Sequence, residues 1–219
     1  MALKLGLYVI TGESKARGRG HLNVAAAALA GGADVIQLRA KDTPVRVALE
    51  IALGMAEMVR SRPERRLFLV NDRVDVAMAS GADGVHLGQS DMPVAAARGL
   101  LGPYAVIGAT AATIEEALRA EQEGADYIGV GPVFYTPTKP DAGEVLGLDR
   151  LREIKRRCRI PVVAIGGIGK ENLEEVLCAG ASGIAVISAI TEAGDMEAAA
   201  RELRAMIDNL DCKEEEPQA

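Results

Sequence analysis

The segment Gly81-Ala82-Asp83-Gly84-Val85-His86-Leu87-Gly88 carries a pattern that the chain repeats. It opens with a glycine of the kind that ends a helix in the left-handed conformation. It then continues into a short run of aliphatic residues, which is typical of a strand buried on both faces. Three other segments share the pattern: Gly32-Ala33-Asp34-Val35-Ile36-Gln37-Leu38-Arg39, Gly124-Ala125-Asp126-Tyr127-Ile128-Gly129-Val130-Gly131 and Gly180-Ala181-Ser182-Gly183-Ile184-Ala185-Val186-Ile187. Each copy predicts the end of a helix followed by a buried strand.

Four further strands are predicted between these copies, over residues 5–10, 67–71, 104–108 and 161–165. Helical patterns separate the strands, over residues 21–30, 44–60, 73–80, 93–100, 113–123, 149–157, 171–179 and 196–210. Strict alternation favours right-handed parallel βαβ units, and eight of them can close into a (β/α)8 TIM barrel. We therefore expect one α/β barrel domain over residues 1–210, with an open doubly wound sheet as the alternative. Residues 211–219 are too polar to bury, which predicts a disordered acidic tail.

The composition excludes several classes of protein. The chain has 219 residues and a formal net charge of −6, and its basic residues are scattered, so nucleic acid is not an expected partner. No apolar run reaches the ~18 residues of a membrane span, and the N-terminal residues lack the pattern of a signal peptide. We expect a cytoplasmic protein without a membrane partner, in which Cys158, Cys178 and Cys212 are reduced thiols. The sequence leaves open whether the chain forms a homo-oligomer.

Barrels of this kind carry their active sites at the carboxyl ends of the strands. Gly166-Gly167-Ile168-Gly169 follows the seventh predicted strand, and Ile187-Ser188-Ala189 ends the eighth. Loops after these two strands often bind phosphate through backbone N–H groups, which glycine allows to approach the anion. We predict a phosphate site here, with glycines that only turn the chain as the alternative. Gly169-Lys170 does not complete the P-loop motif of nucleotide-binding proteins.

Charged residues at neighbouring strand ends predict a second anionic group and a metal ion. Arg39 and Lys41 follow strand two, Asp72 and Asp91 follow strands three and four, and Lys139 lies in the long connection after strand six. Mg²⁺ is typically held by one or two carboxylates and substrate phosphate oxygens, while Arg and Lys neutralise the remaining charge. This set predicts Mg²⁺ at the two carboxylates. The alternatives are a surface salt-bridge cluster and a helix cap formed by Asp91.

The sequence offers no strong general base or nucleophile. Its histidines are His21 and His86, and we interpret His86 as a core residue with satisfied hydrogen bonds rather than as a catalytic one. A site made of cations, a metal ion and hydrogen-bond donors suits the ionisation of a diphosphate leaving group, because charge stabilisation supplies most of the catalysis in such a reaction.

Six motifs stand in order at successive strand ends. They are Gln37-Leu38-Arg39-Ala40-Lys41, Val70-Asn71-Asp72, Asp83-Gly84-Val85-His86-Leu87-Gly88-Gln89-Ser90-Asp91, Gly129-Val130-Gly131-Pro132-Val133-Phe134 with Thr136-Pro137-Thr138-Lys139, Ala164-Ile165-Gly166-Gly167-Ile168 and Ile187-Ser188-Ala189-Ile190. Together they resemble the thiamine phosphate synthase family over residues 8–190. Each motif is weak alone, whereas six in order are specific. The chain departs from the family pattern at Ala40, where Glu is usual, and at Thr110, where Ser is usual.

The resemblance implies a role for each site residue. Four would hold the pyrophosphate of hydroxymethylpyrimidine diphosphate, and the three cations among them would be catalytic: Arg39, Lys41, Asn71 and Lys139. Two would bind Mg²⁺: Asp72 and Asp91. Two would face the aminopyrimidine: Gln37 and Thr110. Five would take the phosphate of the thiazole substrate: Thr136, Thr138, Gly167, Ile187 and Ser188. The implied reaction joins the thiazole nitrogen to the pyrimidine methylene and releases pyrophosphate.

Three alternatives remain at this point. A thiazole tautomerase paralogue would share the barrel, but its catalytic His would lie where this chain has Pro132, and it has no diphosphate for Asn71, Asp72 and Asp91 to bind. A non-catalytic thiamine phosphate binding protein would show affinity without turnover. A phosphosugar isomerase would need a Glu or His base. The basic loop 13–20 is interpreted as a solvated connection, with a mobile lid as the alternative.

Overall fold

The computed structural model describes residues 3–12, 20–138 and 143–210, and it shows a closed barrel of parallel strands. Each strand pairs with its neighbours in sequence, and the last pairs with the first. The strands are β1 Leu7–Thr11, β2 Val35–Leu38, β3 Leu67–Asn71, β4 Gly84–Leu87, β5 Val106–Ala111, β6 Tyr127–Val130, β7 Val162–Ile165 and β8 Gly183–Val186. The predicted single-domain (β/α)8 TIM barrel is confirmed, and the open sheet is wrong.

Helices alternate with the strands around the barrel. They are α1 His21–Ala30, α2 Val45–Arg60, α3 Val74–Ser80, α4 Val94–Leu101, α5 Ile114–Gln122, α6 Gly147–Arg157, α7 Leu173–Cys178, α8 Ser188–Thr191 and α9 Met196–Asp208. The one-turn helix α8 was not predicted, because four residues are too few to show a helical period. The prediction also started β5 too early. Tyr104 is of a type common in strands, but it is 96% exposed and precedes β5 in a turn.

The repeated Gly-Ala-Asp pattern has a structural role that its residue types explain. Its glycines all have positive φ, from 66° at Gly81 to 99° at Gly180, as a left-handed helix end requires. The three aspartates each accept a hydrogen bond from the backbone N–H of the preceding strand: Asp34 from Leu7, Asp83 from Phe68 and Asp126 from Ile107. In the fourth copy Ser182 donates its backbone N–H to Val162. The motif thus forms a hydrogen bond, a strand tie, between each odd-numbered strand and the start of the even-numbered strand that follows it.

The core has two layers. An aliphatic layer lies between the strands and the surrounding helices, and it contains most of the buried residues. A smaller cluster fills the barrel interior and consists of Leu5, Tyr8, Ile10, Val35, Leu67, Leu69, Tyr127, Val163 and Ala185. The two tyrosines of this inner cluster are fully buried, so their hydroxyl groups need hydrogen-bond partners inside the barrel.

Some expectations fall on parts of the chain outside the described residues, namely the tail 211–219 and most of the basic loop 13–20. Within the described ranges, no helix has the length and apolar character needed to cross a membrane. The expectation of reduced thiols is wrong for Cys178, which is disulfide-bonded, whereas Cys158 is a buried free thiol. Cysteine spacing along the sequence could not show this, because pairing depends on proximity in the fold.

Candidate active site

A cavity of about 410 Å³ opens at the carboxyl ends of the barrel strands. It is lined by every predicted site residue that the structure describes: Gln37, Arg39, Lys41, Asn71, Asp72, Asp91, Thr110, Thr136, Thr138, Gly167, Ile187 and Ser188. The remaining predicted residue, Lys139, lies outside the described residues. The barrel therefore brings side chains from most of its strand ends into one cavity.

One wall of the cavity carries cations and carboxylates. Arg39 and Lys41 follow β2, and both act electrostatically on Asp72, which follows the last residue of β3, Asn71. Asp72 has a φ of 63°, and Arg73 donates its backbone N–H to Asn71 at 2.7 Å, which makes a tight γ-turn centred on Asp72. This left-handed backbone is uncommon for a residue other than glycine, and such conformations cluster at functional sites.

The two predicted metal ligands are in contact. Burial, a hydrogen bond to Asp91 and the charge of Asp91 raise the pKa of Asp72 from 3.8 to about 6, while Lys41 and Arg39 act in the opposite direction. Two carboxyl groups this close need either a shared proton or a cation between them. Their oxygen atoms are the donors that Mg²⁺ prefers. The pair therefore fits a divalent cation. The described residues contain no group of three or more His, Cys, Asp or Glu side chains that could hold a metal, so further ligands would be substrate or water oxygens.

Asp91 does not cap the following helix. Helix α4 begins after Pro93 and has no side-chain cap at this end. The Asp91 carboxylate instead accepts the backbone N–H of Gly88 at 2.6 Å, within the loop after β4. This bond orients the Asp91 carboxylate within its own loop. Asp72 reaches the carboxylate from the neighbouring end of β3. The alternative interpretation of Asp91 as a helix cap is therefore wrong.

The opposite wall is built from glycines and the loop after β6. Val133 and Phe134 donate their backbone N–H groups to Ile165 and Gly166, so the loop docks on the end of β7. A Cβ atom at Gly167 would lie 2.6 Å from the carbonyl oxygen of Tyr135. Gly167 is therefore required for loop packing, in addition to any approach to a phosphate. Thr136 and Thr138, on the same loop, also line the cavity.

The unpredicted helix α8 completes this wall. It begins at Ser188 directly after β8, and Ile187 and Ser188 both line the cavity. The N-terminus of a short extra helix beside the loops after β7 and β8 is the usual phosphate site of TIM barrels, because its first N–H groups are not used within the helix. The arrangement is therefore suited to a phosphate group.

Beneath the two walls, five polar side chains form a continuous hydrogen-bonded chain. Gln37 Nε2 donates to Tyr8 Oη at 2.7 Å, and Tyr8 Oη lies 2.9 Å from Tyr127 Oη. Tyr127 Oη lies 2.9 Å from His86 Nδ1, and His86 Nε2 lies 2.9 Å from Thr110 Oγ1. We refer to these residues as the polar chain. It links the two residues that the resemblance assigns to the aminopyrimidine.

Sequence reasoning missed the middle of the polar chain. His86 does have both ring nitrogens hydrogen-bonded, as expected of a satisfied residue, but it is half-buried and lines the cavity. The sequence pattern marks Tyr8 and Tyr127 only as strand residues. A signal was present in the glycines of β5 and β6. A Cβ atom at Gly108 would lie 2.0 Å from the Tyr127 ring, and one at Gly129 would lie 2.8 Å from the His86 ring.

Comparison with known proteins agrees with this geometry. A family model described as thiamine monophosphate synthase matches residues 7–190. The chain is 54% identical to a thiamine-phosphate synthase of Methanocella arvoryzae over 205 residues, which are 94% of this chain and 96% of that protein. It is 51% identical to one of Chloroflexus aurantiacus over 201 residues, 92% of each chain.

Among solved structures, a thiamine phosphate pyrophosphorylase from Pyrococcus furiosus matches with a TM-score of 0.84 and 46% identity, covering 94% of this chain and 96% of that one. The similarity therefore extends through the whole barrel and all its strand ends. On these grounds the chain belongs to the thiamine monophosphate synthase family.

Proposed function

We propose that the protein is a thiamine phosphate synthase, a transferase of thiamine biosynthesis that joins hydroxymethylpyrimidine diphosphate to thiazole phosphate and releases pyrophosphate. The observation that carries this proposal is a single cavity with two different anion-binding walls. Arg39, Lys41 and Asn71 lie at the ends of β2 and β3, while Gly167 and Ser188 lie at the ends of β7 and β8, and β7 stands opposite β3 in the closed barrel. A diphosphate and a monophosphate can therefore be held on opposite sides of one reaction space.

The cationic wall would stabilise the leaving group. Charge builds on the departing diphosphate as the carbon–oxygen bond breaks, and Arg39 and Lys41 are placed to neutralise it, with the Asn71 amide donating a further hydrogen bond. Lys139, a catalytic cation implied by the family resemblance, would add to this group. The attacking thiazole nitrogen has no proton to lose, so the site needs no general base. Positioning two rings and stabilising the leaving group are then sufficient.

We also propose Mg²⁺ as the cofactor, held by Asp72 and Asp91. When bound, the ion would neutralise charge on the diphosphate oxygens. The contact between the two carboxyl groups and the raised pKa of Asp72 support this assignment, because a cation removes their mutual repulsion. A cytoplasmic location is proposed as well, since both substrates carry several charges that an apolar bilayer excludes.

The thiazole tautomerase alternative is weakened by the cavity wall. Pro132, which lines the cavity, stands where the catalytic His of that paralogue would lie, and a proline has no side-chain group that could transfer a proton. A tautomerase would also have no use for the carboxylate pair beside two cations. Binding without turnover would identify the other alternative, a non-catalytic thiamine phosphate binding protein.

The test is incubation with both phosphorylated heterocycles, with and without Mg²⁺, with thiamine phosphate and pyrophosphate measured together. We expect the two products in equal amounts and only with the metal. Loss of one charged contact worth about 1.5–3 kcal/mol predicts that Asp91→Ala slows turnover roughly 10- to 150-fold at limiting Mg²⁺. Asp75→Ala is the control, because Asp75 is exposed and pairs with Arg73 outside the cavity. Equal activity of the Asp91 variant and the parent would contradict the metal assignment.

A further inference from the structure

With the Gln37 amide oriented as in the structure, the polar chain has only one arrangement of hydrogen atoms that satisfies all its members. Gln37 Nε2 is a donor only, so Tyr8 Oη accepts from it. The other hydrogen-bond partner of Tyr8 among the described residues is Tyr127, so the Tyr8 hydrogen must be donated there. The reverse direction would leave a buried hydroxyl hydrogen without an acceptor, which costs free energy. Burial raises the pKa of both tyrosines, so each phenol keeps its hydrogen.

The same reasoning applies to the other half of the polar chain, from Tyr127 to Thr110. Tyr127 accepts from Tyr8 and therefore donates to His86 Nδ1. An imidazole whose Nδ1 accepts carries its hydrogen on Nε2, which then donates to Thr110 Oγ1. Every donor points from Gln37 toward Thr110. The two ends consequently present opposite groups to the cavity, the amide oxygen of Gln37 as an acceptor and the hydroxyl hydrogen of Thr110 as a donor.

We propose that Tyr8, Tyr127 and His86 are positioning residues whose one-way chain makes the site select an aminopyrimidine over an oxopyrimidine. An aminopyrimidine ring presents donors at its amino group and acceptors at its unprotonated ring nitrogens, which complement the Gln37 oxygen and the Thr110 hydroxyl. A 4-oxo ring with a protonated ring nitrogen presents the reverse order. It would leave buried polar groups unpaired, and sites built on hydrogen bonds reject such analogues strongly.

The architecture of the barrel supports a dedicated role for the polar chain. Gly108 pairs with His86 on one side and with Tyr127 on the other, and a Cβ atom there would clash with the Tyr127 ring. Gly129 in turn leaves room for the His86 ring. The rings pack together, with centroids 6.0 Å apart for Tyr8 and Tyr127 and 5.5 Å apart for His86 and Tyr127. This packing fixes the positions of the three rings, so the polar chain is in place before any ligand binds.

The direction of the hydrogen bonds in the polar chain can be observed without an activity assay. The protein has two histidines, so ¹⁵N-histidine labelling gives a simple spectrum that can be assigned by replacing His21 or His86 in turn. We expect His86 to carry hydrogen on Nε2 and not on Nδ1. A ring protonated on Nδ1, alone or on both nitrogens, at about pH 8 would overturn the proposal. This result does not depend on which reaction the protein catalyses.

Selectivity is tested by calorimetric binding of hydroxymethylpyrimidine diphosphate and its 4-oxo analogue. We expect the parent to bind the amino compound at least about 100-fold more tightly, and Tyr127→Phe to reduce that ratio at least about tenfold. Ser80→Ala is the matched control, because it removes a buried hydroxyl that bonds Ala77 outside the cavity. A folded Tyr127→Phe variant with the parental ratio would overturn the proposal. This selectivity rests on the proposed function. If neither pyrimidine binds while His86 has the expected tautomer, the proposed function fails, whereas the direction of the hydrogen bonds in the polar chain is still supported.

Discussion

Asp72 combines several unfavourable features in one residue. Its backbone lies in the left-handed region, its carboxyl group is half-buried, and a second carboxyl group is hydrogen-bonded to it. Each feature destabilises the folded protein in the absence of a cation. Such a combination persists when it is useful for binding, and here it prepares an anionic position between Arg39 and Lys41 on one side and the loop of Asp91 on the other.

Replacing Asp72 with Asn should therefore stabilise the metal-free protein while removing turnover. Asn has nearly the size and shape of Asp, so Asp72→Asn changes mainly the charge. Because the folded pKa is raised from 3.8 to about 6, the ionised carboxylate destabilises the protein above about pH 6 and has no effect below about pH 4. We expect a higher Tm for the variant at pH 7–8 and no difference near pH 4. Asp75→Asn is the control, since Arg73 lowers the pKa of Asp75, and a lower Tm of Asp72→Asn at pH 8 would contradict the prediction.

Individual residues were the hardest part of the site to predict. The cations and the carboxylates follow strands, and Thr110 lies near the end of β5. These residues could be placed from the sequence, because parallel strands bring their carboxyl ends together. The inner members of the polar chain could not be placed, since Tyr8 and Tyr127 are separated by 119 positions and meet only inside the closed barrel. The second role of Gly167, packing against the loop after β6, was equally hidden.

At the scale of elements, the loop after β6 is held by the glycine-rich end of β7. Gly167→Ala would place a Cβ atom 2.6 Å from the Tyr135 carbonyl at a φ of 65°, and so would displace the loop that carries Thr136 and Thr138. We expect the KM for thiazole phosphate to rise about tenfold or more, with a change of less than about threefold for the pyrimidine substrate. Gly169→Ala is the control, because its nearest neighbour is the movable tip of Glu171. Equal effects on both KM values would rule out a separate thiazole wall.

Elements with a clear sequence pattern were predicted well, whereas α8 was missed and β5 was placed too early. The four Gly-Ala-Asp or Gly-Ala-Ser copies correctly located β2, β4, β6 and β8, since each contains both a helix stop and a buried strand. The one-turn helix α8 has no period to detect, and the start of β5 was obscured by the exposed Tyr104.

For the whole molecule, Asp34 is the residue that connects the two ends of the chain. Its carboxylate is buried and pairs with Lys4, Arg66 and Arg204, the last of these on helix α9, and it also accepts the N–H of Leu7. Asp34→Ala would remove the counter-charge of Lys4 and Arg66, while Arg204 would keep Asp208 as a partner. It would also leave the backbone N–H of Leu7 without its acceptor, and we expect a loss of about 3–5 kcal/mol in the free energy of unfolding. Urea unfolding measures this loss.

Asp83→Ala provides the matched comparison. It removes one strand tie, the 2.8 Å bond from Phe68, and should cost about 1–3 kcal/mol. Asp149→Ala, which breaks only a surface pair with Arg152, should leave the unfolding midpoint unchanged. Equal losses at Asp34 and Asp83 would show that the ion-pair cluster adds nothing to barrel closure.

The strand ties also bear on how the barrel opens in solution. Asp34, Asp83 and Asp126 each connect an odd strand to the even strand after it, over short distances along the chain, whereas the β8–β1 seam joins strands far apart in sequence. Proteins open in cooperative units that follow such local motifs. Native-state hydrogen exchange should therefore resolve two-stranded units, in which the amides of β3 and β4, or of β5 and β6, lose protection together and before the barrel unfolds as a whole.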